Sequence, residues 1–506
     1  MNLSYFTSIT DEYLNSLYLV FIVNLKRFFC TTVKLLLILT PFHLHSTEAT
    51  KTLPFHLDAS KRISDEELAV KKEGSFITGV PGYAVDPITG TWLGGSLYYT
   101  ENGKKKDPLF EYAPYKYKIS TDVYQSLKSA KYYTLGIDLP YINNTPFRLN
   151  TFMILESNPN AMYFGIGESS MNGLSYNDRN DSSNQKIYNA NYEERQRNLS
   201  YRRKSNRTNE PPYVTDTKYN EYETSNNLFS INVDRTFLGK YRFLTGVDLS
   251  KIIVNTYDGK WFKSKDPYFS DTPFPIVNSE ISTPQSKTKL TEDYDAGKIN
   301  GYHGGYVNYA KVGIAYDTRD FEVSPRKGIF AEAILSSVSK YTGSTYTFYR
   351  EFFQIKVFQI IFPKTFEELV IAGRIAGTRV TGNVPFTEFR YMYSMDGPII
   401  GLGGMQTLRG FKQDRFVGNI MGFGNLELRY RIIGFTLGEE NFTISIVPSI
   451  DVGRVWDKTK DVSFKDYMYS KTLGLRIIWN QSTVISMDYG RSREDSQFFL
   501  DIGQTF

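Results

Sequence analysis

The alternation of apolar with small or polar residues, repeated in segments of about ten residues beyond residue 90, constrains the fold more than any other feature of this sequence. In segment 425–434, Leu426 and Leu428 fall on one face of an extended chain, and Glu427 and Arg429 fall on the other. The same pattern recurs in three later segments, 442–456, 471–480 and 482–491. A period of two residues with one apolar and one polar face predicts β-strands.

The length of these segments distinguishes two kinds of β protein. About ten residues is the length that crosses a bilayer at a tilt, whereas strands of soluble proteins average about five or six residues. A soluble β-sandwich would alternate in the same way, but with shorter strands. The 38 Tyr and 36 Phe residues cluster near segment ends, as in the interfacial girdles of membrane barrels. The sequence therefore favours a transmembrane barrel.

The connections between segments alternate between short and long. Short connections are predicted at 157–161, 237–240, 362–366 and 479–482, and long polar loops at 169–226, 257–304 and 383–424. Tight turns on one side and long loops on the other are typical of outer-membrane barrels. We predict an all-β transmembrane antiparallel β-barrel of about sixteen strands with long extracellular loops, its first strand near Thr91–Thr100.

The region before the barrel is predicted to direct export. Residues 24–49 contain a basic end, an apolar centre at Leu35–Leu44 and small residues near Ser46, which together predict a secretory signal. The single cysteine, Cys30, precedes the apolar centre. The predicted organisation is a signal or targeting region at 1–48, a short periplasmic segment at 49–90 and an outer-membrane barrel at 91–506. Translation is predicted to start near Val23 or Leu25, or the whole targeting region to be removed.

The last segment, "QFFLDIGQTF", reads as a final amphipathic strand. Phe498, Leu500, Ile502 and Phe506 are predicted to share one face. An apolar alternating strand that ends in an aromatic residue resembles the signal that hands outer-membrane barrels to the barrel assembly machinery. A final strand with chance aromatic ends is the alternative.

Four motifs, in order along the chain, resemble one family. They are "YAVDPITGTWLGG" (83–95), "GIAYDTRDFEVSPRKGIFAEA" (313–333), "LRGF" (408–411) in its glycine-rich frame, and "DVGRVW" (451–456). They resemble the BamA/TamA-type outer-membrane barrel superfamily, also called the bacterial surface antigen family. The turn motif of that family maps onto Asp317, Arg319, Pro325 and Gly328. The "LRGF" loop falls between the predicted eleventh and twelfth strands, its place in the family.

The resemblance implies a long sixth loop that folds back into the barrel lumen. The lid motif would be Leu408, Arg409, Gly410 and Phe411, and the lid-partner carboxylates on the wall would be Glu427 and Asp451. The alternation also places Glu427 and Asp451 inward on adjacent strands, where two carboxylates repel unless a cation lies between them. Arg409 has the fork of donors that such a pair needs. A wet lumen predicts a cost of about 1–2 kcal/mol for its removal.

One departure from the family concerns periplasmic POTRA domains. About forty residues are expected between the signal and the predicted first strand, too few for one domain of the size that the resemblance implies (about 75–80 residues). Within them, residues 64–74 predict a short helix, with Ser64 as the N-cap and Gly74 as the stop. The departure favours a specialised or reduced barrel.

Other chemistry is weakly indicated. The chain carries 59 Lys and Arg against 54 Asp and Glu, a balance that does not indicate nucleic acid. No metal cluster, phosphate loop or nucleophile motif is present, so we predict no metal, no cofactor and no enzyme activity. His303 in its glycine-rich loop is the least implausible catalytic residue, and the basic run Arg202–Lys204, in a loop predicted to be mobile, is a candidate contact for lipopolysaccharide phosphates.

Two classes of function remain open. In the first, the barrel inserts or exports client proteins through a lateral seam between its first and last strands, weakened by Gly90, Gly94 and Gly95. In the second, it is a passive structural barrel, a small pore or a surface-exposed receptor. Either would sit in the outer membrane of a Gram-negative-type bacterium and contact its lipid.

Overall fold

The computed structural model describes residues 52–86, 90–179, 183–208, 210–266, 280–362 and 369–506. The predicted signal region, residues 1–48, lies outside the described residues. No helix among the described residues is long and apolar enough to cross a membrane.

The alternating segments form one antiparallel sheet of sixteen strands. Each strand pairs with its neighbours in chain order, as alternation of tight turns and loops predicts. We number them β1 (Ser75–Asp86), β2 (Gly90–Glu101), β3 (Tyr117–Ser126), β4 (Lys131–Leu139), β5 (Phe147–Met162), β6 (Glu221–Phe237), β7 (Tyr241–Asn255), β8 (Gly304–Asp317), β9 (Gly328–Val338), β10 (Thr347–Ile360), β11 (Leu369–Asn383), β12 (Ile420–Leu437), β13 (Glu440–Trp456), β14 (Met468–Trp479), β15 (Thr483–Arg491) and β16 (Ser496–Ile502).

The sheet curves into a nearly closed barrel. Its edge strands, β1 and β16, approach each other within 8 Å between Cα atoms. In the described residues no backbone ladder joins them, and the strand order runs from β1 to β16 without closing. The hydroxyls of Thr78 in β1 and Thr483 in β15 lie 2.7 Å apart on the inner side of this seam.

The predicted number of strands is the observed one, but two boundaries were wrong. The first strand begins at Ser75, well before the predicted Thr91, so the predicted limit between residues 90 and 91 falls inside the β1–β2 hairpin. The predicted turn at 157–161 lies within β5, which continues to Met162. Proline and asparagine in that stretch suggested a turn, but the long strand keeps its pairing with β6 around a bulge.

The two faces of the barrel differ in polarity, as predicted. Along β14, Leu473 is 56% exposed on the outside, whereas Arg476 is buried inside. Along β12, Leu426 and Leu428 face out, whereas Glu427 is buried inside. The outer face is therefore mainly apolar, with a few exposed charges such as the Glu351–Arg379 pair, and charges such as Glu427 and Arg476 are buried on the inner face.

The three longest connections lie at one end of the barrel, and several tight turns lie at the other, together with the longer connection 102–116. The end that carries the start of β1 has tight turns at 238–240, 438–439 and 480–482, whereas the opposite end has long loops at 163–220, 256–303 and 384–419. The long loops contain short strands at Tyr176–Asn177, Lys186–Ile187, Arg202–Lys204, Tyr213–Thr215, Trp261–Lys265, Glu280–Pro284, Tyr391–Ser394 and Gly397–Ile400. They also contain α2 (Tyr192–Leu199) and α3 (Lys289–Asp295), following α1 (Asp65–Val70) in the segment before β1. Short 3-10 turns occur at Ala59–Lys61, Ile142–Asn144, Gly167–Met171, Lys340–Thr342, Phe386–Glu388 and Thr459–Asp461.

The short helix predicted before the barrel is present and ends earlier than expected. Ser64 is its N-cap, and the Ser64 hydroxyl accepts the Glu67 N–H at 3.3 Å. The helix ends at Val70 rather than at Gly74. Lys71 is the C-cap residue, with an extended backbone conformation, and its side chain bonds the 102–116 connection.

Candidate functional site

The loop between β11 and β12, residues 384–419, lies in the barrel interior. We call it loop 6. Its side chains Leu402, Leu408, Phe411 and Phe416 are almost fully buried and pack with Phe423 of the β12 wall. The loop begins and ends within a few residues of the predicted limits 383–424. A loop of this length that is packed throughout is a structural element rather than a mobile connection.

Glycines let the "LRGF" motif press against the wall. Gly403, Gly404 and Gly410 have φ values of 113°, 84° and 114°, a region that disfavours residues with a Cβ. A Cβ on Gly410 would lie 2.7 Å from the carbonyl carbon of Arg491. The motif therefore sits directly on the backbone of β15.

The guanidinium of Arg409 lies between the two predicted carboxylates. Nε donates to Asp451 Oδ2 at 3.0 Å and Nη2 to Asp451 Oδ1 at 2.8 Å, and the Arg409 backbone N–H also donates to Oδ2 at 3.1 Å. Nη1 donates to Glu427 Oε1 at 2.8 Å. All three side chains have an exposed fraction of 0%. The structure thus brings Arg409, Glu427 and Asp451 together, with a bidentate pair to one carboxylate and a single bond to the other.

A second ring of side chains holds these carboxylates in place. Asp451 accepts a hydrogen bond from Asn425 Nδ2 at 2.7 Å, and Glu427 accepts one from Arg429 Nε at 2.9 Å. Asp488, 3.6 Å from Arg409 Nη1, is held by Arg476. The charges therefore alternate in sign across β12, β13, β14 and β15, and the site joins four strands to loop 6.

The electrostatics of the site keep Arg409 charged. Burial lowers the pKa of the Arg409 guanidinium, but the charges of Asp451 and Glu427 outweigh burial, and the net pKa lies above the usual range for arginine. The ion pairs of the site hold loop 6 against the barrel wall.

The residues after β16 enter the lumen, which corrects one prediction. Phe498 faces out as expected, at 61% exposed, but Phe506 does not share its face. The Phe506 ring is buried against Phe358, with the Arg429 and Arg374 guanidiniums over it at 5.1 and 4.8 Å. The strand pairing ends near Gly503, whose φ of 129° lets the chain leave the sheet. Alternation was extrapolated past that glycine, and the extrapolation was wrong.

These residues also reach the Arg409 site. Thr505 Oγ1 accepts hydrogen bonds from Arg409 Nη1 at 3.1 Å and Arg476 Nη2 at 3.2 Å. Arg429 Nη2 donates to the Phe506 carbonyl oxygen at 2.9 Å. The segment 503–506 is therefore a further partner of loop 6 that the sequence did not indicate.

A second anchor of loop 6 was also missed. Met395 N–H donates to Glu332 Oε2 at 2.8 Å, and Lys356 Nζ donates to Asp396 at 2.8 Å. Arg350 Nη2 donates to Glu388 Oε2 at 3.1 Å, with both side chains nearly inaccessible. These bonds fix the hairpin of loop 6 (Tyr391–Ile400), and the turn just before it, to β9 and β10. The alternation of β10 places Arg350 and Lys356 inward, but a strand pattern does not reveal a partner far along the chain.

The predicted turn motif closes β8 onto β9. Arg319 forms a bidentate pair with Asp317, both bonds being 3.0 Å long. Gly328 has a φ of 107°, and a Cβ there would lie 2.2 Å from the Thr318 carbonyl oxygen. Pro325 is buried within the turn. Asp317 additionally pairs with Lys61 from the segment before β1, at 3.1 Å.

Other sequence candidates have structural roles. The His303 ring packs edge-on against Tyr302, and in the described residues no hydrogen bond joins it to a carboxylate. Arg202 and Arg203 form ion pairs with Asp266 and Asp216. Where the structure describes it, the loop around them, which was predicted to be polar and mobile, folds into α2 and two short hairpins. The described residues hold no group of three or more potential metal ligands.

Comparison with known families decides what kind of barrel this is. Residues 163–506, more than half of the chain, match the model of the Omp85 superfamily domain. The chain belongs to the Omp85 superfamily. The matched part covers β6 to β16 together with loop 6 and the Arg409 site, in accord with the BamA/TamA-type resemblance. Residues 53–116 match a separate domain of unknown function, DUF5982.

Solved structures with similar folds include two Omp85 proteins. The chain is 13% identical to BamA from Haemophilus ducreyi lacking POTRA domains 1–3, with a TM-score of 0.43, covering 85% of this chain and 70% of that one. It is 10% identical to CdiB from Escherichia coli, with a TM-score of 0.45, covering 85% of this chain and 62% of that one. A search of curated proteins finds no match. The superfamily assignment rests on the family model.

Proposed function

We propose that this Omp85 barrel resides in the outer membrane of a Gram-negative-type bacterium and inserts or exports client proteins through the seam between β1 and β16. Family membership supports the class of activity. The unpaired edges of the two strands carry the proposal for the route, because free N–H and C=O groups on an edge pair readily with another extended chain. Surrounding lipid, one or a few client proteins and the barrel assembly machinery are the partners that this function requires.

Strand length supports a weak seam. β16 has seven residues, whereas β1 has twelve. Because the chain turns inward after Gly503, β16 does not extend along the start of β1. That part of β1 faces β15, through the Thr78–Thr483 hydroxyl pair. A side-chain bond of this kind contributes about 0.5–1.5 kcal/mol, far less than a continuous strand ladder.

The composition of β1 supports the same conclusion. Pro81 lies in the middle of this strand, opposite Gly95 of β2. Proline lacks the N–H that a ladder needs and is confined in sheets to edge strands and bulges. Gly94 and Gly95, which the sequence placed in the first strand, belong to β2, where a Cβ on Gly94 would lie 2.0 Å from the Val123 carbonyl oxygen. Proline therefore leaves the β1 edge short of a donor at its centre.

The second candidate is a passive structural barrel, a small pore or a surface-exposed receptor. Loop 6 and residues 503–506 lie inside the lumen, which supports a barrel that is closed at rest. Depletion followed by outer-membrane proteomics separates the two candidates. Insertion or export predicts the selective loss of one or a few barrel, lipoprotein or secreted clients. An unchanged proteome would favour the passive barrel.

A further inference from the structure

The segment before β1, Leu53–Gly74, spans the barrel mouth at which the tight turns lie. We call it the strap. At one end, Asp58 N–H donates to the Gly239 carbonyl in the β6–β7 turn at 3.4 Å, and Lys61 pairs with Asp317 at the end of β8. At the other end, Lys72 pairs with Glu440 in the β12–β13 hairpin at 2.5 Å. These turns are six strands apart on a sixteen-strand rim, so the strap crosses the opening between them.

The β2–β3 connection, residues 102–116, packs against the strap. Ile63 N–H donates to the Glu111 carbonyl at 2.9 Å. Lys71 Nζ donates to the carbonyls of Phe110 and Ala113, both at 2.6 Å, and lies 4.4 Å from the centre of the Phe110 ring. Gly74 N–H also donates to the Gly103 carbonyl at 2.7 Å, so the connection follows the strap from the point where the strap enters β1. Together they form a layer beneath the lumen.

A polar chamber of about 430 Å³ lies between this layer and loop 6. Pro114 and Tyr115 of the β2–β3 connection line it on one side, and the loop 6 segment 394–399 lines it on the other. Ser120 of β3 is part of its wall. Loop 6 therefore bounds the chamber from the side of the long loops, and the β2–β3 connection, which the strap contacts, bounds it from the side of the tight turns.

We propose that the strap and the β2–β3 connection, both within the residues 53–116 that match DUF5982, form a displaceable floor that closes the lumen on the side of the tight turns. The strap is held by ion pairs and hydrogen bonds at separate points, with few buried apolar side chains, namely Leu57 and Ile63. Such a segment leaves as a unit more readily than a strand in a ladder. It also continues directly into β1 at Gly74–Ser75, so its release frees the end of one seam edge.

The close contact at Gly239 indicates that the strap packs against the β6–β7 turn at a specific position. A Cβ on Gly239 would lie 2.2 Å from the Asp58 nitrogen. Asp317, which the sequence singled out as a family turn residue, is likewise shared between Arg319 and the strap lysine Lys61. This floor goes beyond the proposed function, because it closes the lumen whether or not the seam opens.

The test uses the full chain with Cys30→Ser and a reporter, Ser120→Cys, in the chamber wall. Lys61→Ala with Lys71→Ala removes two strap anchors, one to Asp317 and one to the β2–β3 connection. Lys105→Ala with Lys106→Ala removes the same charge from exposed positions of that connection and serves as the matched control. Folding of each variant is first verified by its mobility on unheated gels. The rate of reporter modification by a bulky maleimide is then measured.

The floor predicts slow modification in the parent and the control, and at least a tenfold faster rate in the strap variant. If the lysine substitutions prevent folding, Glu67→Gln with Lys72→Gln removes two other strap anchors. This variant should also raise the rate of reporter modification, by a smaller factor. Equal rates in a folded strap variant and its control would overturn the floor. No client is present in this measurement, so its result concerns the floor alone and leaves the evaluation of the seam to client assays.

Discussion

Replacing Arg409 by methionine removes the cation from a dry site while keeping most of its volume. The side chains of Arg409, Glu427 and Asp451 have exposed fractions of 0%, so the wet lumen expected from the sequence is wrong at this point. Removing one partner of a fully buried ion pair costs about 3–5 kcal/mol, because it leaves an uncompensated charge. We therefore expect about 3–5 kcal/mol rather than the 1–2 kcal/mol of a hydrated pair.

The cost should concentrate at Asp451. Glu427 retains Arg429 at 2.9 Å after the change, whereas Asp451 retains the neutral Asn425 and a weak contact with Ser470. Arg409→Met combined with Asp451→Asn removes the stranded charge together with its partner. This double variant should recover at least half of the loss, because replacing both partners costs less than orphaning one.

Two measurements follow the change in Arg409→Met. The free energy of unfolding is measured by urea titration in detergent micelles, with folded and unfolded chains separated on unheated gels. Trypsin reports on the loop, since Lys412 and Arg415 are 6% and 2% exposed in the intact site. Cleavage there should appear in the variant and fade in the double variant. The hairpin should stay protected, because Glu332 and Lys356 still anchor it.

The reasoning would be refuted by a variant that loses less than about 1 kcal/mol and resists trypsin, since that is the contribution of an exposed ion pair. In that case "LRGF" would be a remnant without a locking role, and the passive barrel would gain support.

Two further changes test the register of the wall and the closeness of the loop. Leu473→Lys, near the middle of the outer face of β14, should lower the free energy of unfolding by about 2–4 kcal/mol. Ile477→Lys, close to the turn, should lower it by about 0–1 kcal/mol. Equal costs in a urea titration would show that the depths assigned to these two residues in the bilayer are wrong. Gly410→Ala should loosen loop 6 and expose Lys412 to trypsin, because the new Cβ would collide with the backbone of β15. Gly438→Ala is the control: Gly438 also has a positive φ but has open space around it, so this change should strain the turn and leave loop 6 protected from trypsin.

The sequence determined the barrel because its signal is periodic and local. Alternation in β12 to β15 predicted which residues face out, and the observed faces of Leu426, Leu473 and Glu427 agree. The prediction from sequence failed where strand pairing overrides the turn propensity of the residues. In β5 the stretch "SNPNA" has turn composition, yet strand pairing with β6 carries it.

Contacts distant along the chain were harder to predict. The family motif named Arg409, Glu427 and Asp451 because three residues recur in one known arrangement. Neither Thr505 nor the strap lysine Lys61 carries such a signal. Each is a polar residue whose partner is fixed by how the chain folds over the mouth or into the lumen, and one sequence does not contain that information in its periodicity.

The most direct test of the proposed function locks the seam. Thr78→Cys with Thr483→Cys places two thiols where hydroxyls lie 2.7 Å apart, joining β1 to β15 across the seam. Ser449→Cys with Thr472→Cys, opposite each other in the β13–β14 ladder, is the matched control, because that ladder is already closed. Both pairs are placed in a Cys30→Ser background as the single copy in cells, and the outer-membrane and secreted proteomes are compared.

Insertion or export through the seam predicts that the oxidised seam pair depletes one or a few clients, that a reductant restores them, and that the ladder pair has no effect. A seam pair that is fully cross-linked and leaves every client at its normal level would contradict the proposed route.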